Sequence, residues 1–246
     1  MKEVALFGDS YADRCDTYKN IVTSWGWARQ LMNMYGSDGA SNFAQGGSSL
    51  DFSVHTFLEN HEKYKQIIFV TTWLHRLHIP IELTSANGHL PAFTASHWAG
   101  YSHCEHMENN YVIESADDRQ TLKAIKDYFM YITTGVHEAK YALLRYRALL
   151  DLVKKTRPDA IIIPARNYGF IDEYKWDLKK ISDQECILFQ SSLPDYYPDP
   201  RHNHMTPISN KWMLEHVLGR LEGKFIDLDL NRIPQFKNYN ELLSSL

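Results

Sequence analysis

Apolar positions along this chain fall into short continuous runs, and stretches with helical spacing separate most of them. "EVALF" (3–7) is the first strand candidate. "SWGWARQLMNMYG" follows with helical intervals and ends in Gly36, which enters the left-handed region at a helix end without steric cost. "ASNFAQGG" (40–47) reads as a short strand leaving through two glycines, and "SLDFSVHTFLENHEKY" (49–64) as the next helix. "QIIFVTT" (66–72) is continuous and β-branched, the pattern of a strand covered on both faces. The longest helical pattern runs from about Ser115 to Arg157, with a kink expected near Gly135. Pro158 stops it, because proline has no N–H and clashes with the preceding turn. "AIIIPA" and "CILFQ" predict two more buried strands. The last helix has the clearest start: Thr206 can cap it, Pro207 suits its first turn, and "ISNKWMLEHVLGRL" carries the apolar stripe.

Strand–helix alternation predicts a parallel sheet covered on both faces. With no internal repeat and no Pro-, Gly- or Ser-rich linker, the expectation is one domain over residues 1–246. One interval breaks the rhythm. Residues 76–114 hold Pro80, Gly88, Pro91 and Gly100 among many aromatics and histidines, without clear periodicity. So long an irregular stretch in a compact domain predicts a functional segment, here a lid or pocket wall.

Charge and cysteine usage narrow the function class. A net charge of −4, with basic residues only in short groups such as Lys154-Lys155 and Lys179-Lys180, argues against a nucleic-acid surface. Cys15, Cys104 and Cys186 are odd in number and show no CxxC spacing, which fits a reducing compartment rather than a disulfide framework. Strand-like sequence from residue 3 leaves no signal-peptide pattern, and no apolar run reaches the ~18 residues of a membrane span. The expected location is the cytoplasm.

Chemistry concentrates where predicted strands end. Val4-Ala5-Leu6-Phe7 stops at Gly8-Asp9-Ser10, delivering a serine to a glycine-marked turn. In open α/β sheets such carboxyl-end turns carry the sites. A helix following Ser10 could aim its N-terminus at the hydroxyl, with Asp13, Arg14 and Asp16 as charges in its first turn. "NFAQGGSSL" also follows a strand, and its Gly47 can present an unobstructed N–H to a developing oxyanion. "YPDPRHNHMTP" places Asp199, His202 and His204 ahead of the last helix. A serine is a weak nucleophile until a histidine takes its proton and an acid orients that histidine.

These blocks, in this order, resemble the SGNH (GDSL-type) hydrolase superfamily of esterases, lipases and carbohydrate deacetylases. The resemblance rests on Gly8-Asp9-Ser10, on Asn42 with Gly47, and on Asp199 with the histidines before the terminal helix. It implies a three-layer α/β/α fold with a flavodoxin-like parallel sheet. It also implies Ser10 as nucleophile, with the Ser10 and Gly47 N–H groups as oxyanion donors. The family's G-x-N-D block is missing: the third strand runs on as "IIFVTTWLHR", where Thr72, His75 or Arg76 would have to supply the substitute donor. The usual D-x-x-H spacing pairs Asp199 with His202, whereas the family's H-x-T-P arrangement fits His204-Met205-Thr206-Pro207. His204 is favoured as base, with Asp199 as its partner.

Other groups weigh less. "HWAGYSHCEH" holds His97, His103, Cys104, Glu105 and His106, but their spacing matches no standard zinc site. Trp25 and Trp27 read as core contacts of the first helix, Trp73 and Trp98 as pocket residues. No GxSxG, P-loop or GxGxxG pattern is present. The expectation is a serine esterase or deacetylase without cofactor or metal, acting on a small-molecule or carbohydrate ester. An O-acetyl sugar is one candidate substrate. The alternative is a ligand-binding module on the same fold.

Overall fold

A computed structural model describes residues 2–13, 17–18, 21–22, 26–74, 76–79, 84–85, 88–89, 93–95, 116–128, 136–181, 205 and 207–225. The chain falls into two compact units that interleave along the sequence. The first comprises Met1–Gly46, Glu59–Thr71 and Asp159–Leu246, the second Gly47–Leu58 and Thr72–Pro158.

The first unit holds a parallel sheet of β1 (Lys2–Phe7), β4 (Ala40–Asn42), β5 (Tyr64–Val70) and β10 (Ile161–Ile163). Across the sheet the order is β10-β5-β1-β4, with Leu6 opposite Asn42 and Ile68. Read from the β4 edge, the strands stand second, first, third and fourth in chain order, which is the flavodoxin-like arrangement. The fold is therefore α/β: a parallel sheet flanked by helices, of the three-layer α/β/α kind. Val4 to Phe7, Ile67 to Val70 and Ile161 to Ile163 are buried, as continuous apolar runs require. Phe7 stacks on Phe43 at 5.0 Å between ring centroids, and Tyr64 meets Phe43 edge-on. Burying an aliphatic or phenyl side chain is worth about 1.5–3 kcal/mol, so these strands are the unit's main source of stability.

Between β1 and the first helix lies an antiparallel pair, β2 (Thr17–Tyr18) with β3 (Ile21–Val22). Helix α1 (Trp27–Gly39) packs on β1 and β4. Gly36, at φ 67°, interrupts the helix where the sequence predicts its end, and the chain makes one more turn before β4. The terminal helix, α5 (Pro207–Leu221), packs on α1 and begins at the predicted proline. Its His216 is fully buried, with Nε2 3.0 Å from the Tyr174 hydroxyl.

The second unit contains most of α2 (Leu50–Asn60), together with α3 (Ala116–Asp127) and α4 (Val136–Thr156). Among the described residues the long helical pattern contains these two helices; Gly135 lies outside the described residues. The interval read as irregular contains short strands: β6 (Leu77–Ile79) pairs with β9 (Phe93–Ala95), and β7 (Thr84–Ser85) with β8 (Gly88–His89). Strands of two or three residues are too short for a period of two to register in the sequence. Among the described residues no helix is long and apolar enough to cross a membrane. The predicted strand at 186–190 and the cap Thr206 lie outside the described residues.

Candidate active site

β1 ends at Phe7, and the chain turns at Gly8 with φ 150°. This is where strand order reverses, between β1 and β5, the position at which open α/β sheets form ligand crevices. No helix follows Ser10 directly. The sequence expectation of a helix N-terminus at the hydroxyl is corrected: a single turn stands there, and α1 begins only at Trp27. Asp9 builds that turn. Its carbonyl accepts the N–H groups of Ala12 and Asp13, both at 2.9 Å, and its Oδ1 accepts the Tyr11 N–H at 3.1 Å. A fully buried carboxylate tolerates burial when local donors satisfy it in this way. Tyr11 and Ala12 are buried, while Ser10 between them and Asp9 stays half-buried. The turn therefore presents the serine.

The segment after β4 is laced onto this turn. Phe43 N–H donates to the Leu6 carbonyl at 2.8 Å, and Gln45 N–H to the Gly8 carbonyl at 3.1 Å. Asn42 donates from Nδ2 to the Ala12 carbonyl, and its Oδ1 accepts the Ala44 N–H, both at 2.8 Å. Gly46 N–H donates to Asp13 Oδ2 at 2.9 Å. Asp13 thus binds a loop amide instead of lying in a helical first turn. A Cβ built on Gly46 would stand 3.8 Å from Ser10 Cβ, so this loop passes directly beside the serine.

Trp27 links the turn to the start of α5. Its indole Nε1 donates to the Tyr11 carbonyl at 2.8 Å, and its backbone N–H donates to Asn210 Oδ1 at 2.9 Å. Gly26 has no side chain to cap α1, so Asn210 takes over one of the orphan donors at its start. Asn210 Nδ2 in turn donates to the Met205 carbonyl at 2.9 Å. Met205 is buried and follows His204 in the chain.

In the second unit, Thr72 is fully buried and its Oγ1 donates to the Ser48 carbonyl at 3.1 Å. Arg76 Nη1 donates to Thr72 Oγ1 at 2.9 Å and to the same carbonyl at 3.1 Å. Arg145 Nη2 donates to the carbonyls of Leu74 and Arg76, at 3.2 and 3.0 Å, and Nε lies 3.7 Å from Asp51. Thr72 and Arg76 therefore anchor the residue that follows Gly47. Gly47 itself has φ 79°, a region glycine enters freely. The one hydroxyl proton of Thr72 is engaged on Ser48, whereas Arg76 carries five N–H donors.

No family model matches the chain, and no curated protein matches it. The chain is similar to several solved structures. One is a member of the lipolytic G-D-S-L family from Veillonella parvula: 10% identity over 89% of this chain and 97% of that one, TM-score 0.33. Another is a lipase/acylhydrolase from Enterococcus faecalis: 11% identity, coverage 93% and 100%, TM-score 0.31. An acetyl xylan esterase from Geobacillus stearothermophilus matches with 10% identity, coverage 92% and 97%, and TM-score 0.35.

Of the residues singled out in the sequence, Ser10 lies in the first unit and Gly47, Thr72 and Arg76 in the second. His75, Asp199, His202 and His204 lie outside the described residues, as do His97, His103, Cys104, Glu105 and His106. Sequence reasoning missed Asn210 and gave Trp27 only a packing role. No local pattern marks a hydrogen bond between residues 183 positions apart.

Proposed function

We propose that the protein is a serine hydrolase of carboxylic esters. The observation that carries this reading is the half-buried Ser10 on a tightly bonded turn at the sheet's switch point, with Gly46 alongside. In this reading Ser10 Oγ attacks the acyl carbon while His204 takes its proton. The tetrahedral intermediate collapses to an acyl-serine, and the same proton passes from His204 to the departing alcohol. Water then repeats the sequence and releases the acid. Asp199 orients the imidazole. Ser10 and Gly47 N–H groups receive the oxyanion; of the candidate third donors Thr72, His75 and Arg76, Arg76 is preferred over Thr72, whose proton is engaged on Ser48. The substrate is a small-molecule or carbohydrate ester, with an O-acetyl sugar as one candidate, and the odd cysteine count favours action in a reducing cytoplasm. The chemistry needs neither cofactor nor metal.

Asn210 supports the choice of His204. Its bond to the Met205 carbonyl fixes the residue next to His204, whereas His202 is two residues further from that anchor. A base held in place loses less freedom in reaching its geometry. The test is a panel of short-chain aryl esters and acetylated sugars, run on the parent protein and on two variants. His204→Ala is expected to lose activity about as completely as loss of the nucleophile, because the two act as a unit. His202→Ala is expected to keep most of the rate. The reverse result would transfer the role to His202, and binding of the panel without turnover would favour a ligand-binding module.

A further inference from the structure

We infer that Asp13 and Asn42 are positioning residues that hold the glycine pair Gly46-Gly47 in place for the oxyanion. The inference rests on the serine-hydrolase reading. Every N–H from Phe43 to Gly46 has a fixed acceptor: Leu6 O, Asn42 Oδ1, Gly8 O and Asp13 Oδ2 in turn. Three of those acceptors belong to β1 and the nucleophile turn, and the Asn42 amide closes the lacing on Ala12. Two consecutive glycines are otherwise the freest backbone a loop can contain. An oxyanion donor is useful only when preorganised at about 2.7–3.1 Å from where charge develops. Asp13 fixes the residue just before that donor.

The clamp lies at the surface: Gly46 is exposed and Asp13 half-exposed. Such a bond adds little to global stability, so its removal should change rate far more than melting temperature. The experiment compares the parent protein with Asp13→Ala, Asp13→Asn, Asn42→Ala and Ser10→Ala. It reads kcat and KM on an aryl acetate and affinity for a boronic acid, which mimics the tetrahedral intermediate. Asp13→Ala and Asn42→Ala are each expected to lower kcat by roughly 10–10²-fold and to weaken boronate binding by a similar factor. KM should stay nearly constant, since the ground state carries no oxyanion. Asp13→Asn keeps an acceptor oxygen and should recover most of the rate.

Parent-like kcat in Asp13→Ala, beside an inactive Ser10→Ala, would overturn the clamp and leave the serine reading standing. Asp13→Asn as slow as Asp13→Ala would also overturn it, because charge and not the acceptor would then matter. A fall in kcat without a fall in boronate affinity would do the same. If Asp13→Ala does not fold, Asn42→Ala decides on these same criteria. Ser10→Ala as active as the parent would remove the serine reading and the inference together.

Discussion

Ser10→Ala is expected to abolish ester hydrolysis and to leave the fold intact. Ser10 carries the only proposed bond-forming atom, and no neighbouring side chain supplies a second nucleophile in this reading. Removing the nucleophile of a serine–histidine unit costs on the order of 10⁴–10⁶-fold in turnover. The backbone of the turn is held by Asp9 O and Oδ1, and by Trp27 at the Tyr11 carbonyl. The expected stability change is therefore within about 1 kcal/mol. Steady-state rates and a thermal melt on the same preparation check both halves. Turnover within about tenfold of the parent would remove Ser10 from the mechanism.

Gly8→Ala has the opposite signature, a loss of stability. A Cβ at Gly8 would stand 2.8 Å from Val70 Cβ, 2.9 Å from the Val70 carbonyl oxygen and 3.2 Å from Ala12 Cβ, at a backbone φ of 150°. Real Cβ atoms do not sit so close to backbone, so either β1 and β5 separate at their carboxyl ends or the turn moves. Overpacking and backbone strain each cost about 1–3 kcal/mol, giving roughly 2–6 kcal/mol in all. For a domain of this size that lowers Tm by about 10 °C. Gly36→Ala is the control. Its φ is also positive, at 67°, but nothing lies within 4 Å of the added methyl. With ψ at 173° its backbone lies in a region essentially reserved for glycine, so strain alone should cost it about 1–3 kcal/mol. Equal melting temperatures for the two variants would contradict the close β1–β5 approach.

The sheet was largely legible in the sequence. "EVALF", "QIIFVTT" and "AIIIPA" became β1, β5 and β10 because strands buried on both faces must be continuously apolar. The end of "EVALF" also located the turn that carries Ser10, since glycine directly after a buried strand lets the backbone turn away at once. Local patterning could not show what holds that turn. Asp13 meets Gly46 across 33 residues and Trp27 meets Asn210 across 183, and a carboxylate or amide gives the same local signal whether it faces water or a distant N–H. The helix expected after Ser10 failed for a related reason. Asp9 can cap a single turn as readily as it precedes a helix, and the short β2–β3 pair intervenes before α1. The strands between residues 77 and 95 escaped notice because two or three residues carry no periodicity.

The most direct test is covalent labelling with a fluorophosphonate probe, followed by intact-mass measurement and peptide mapping. Only an activated serine reacts at an appreciable rate. The account predicts a single adduct on Ser10, loss of esterase activity in step with labelling, and no adduct in Ser10→Ala. A protein that stays unlabelled while it hydrolyses esters, or one that takes the probe elsewhere and loses activity with it, would contradict the account.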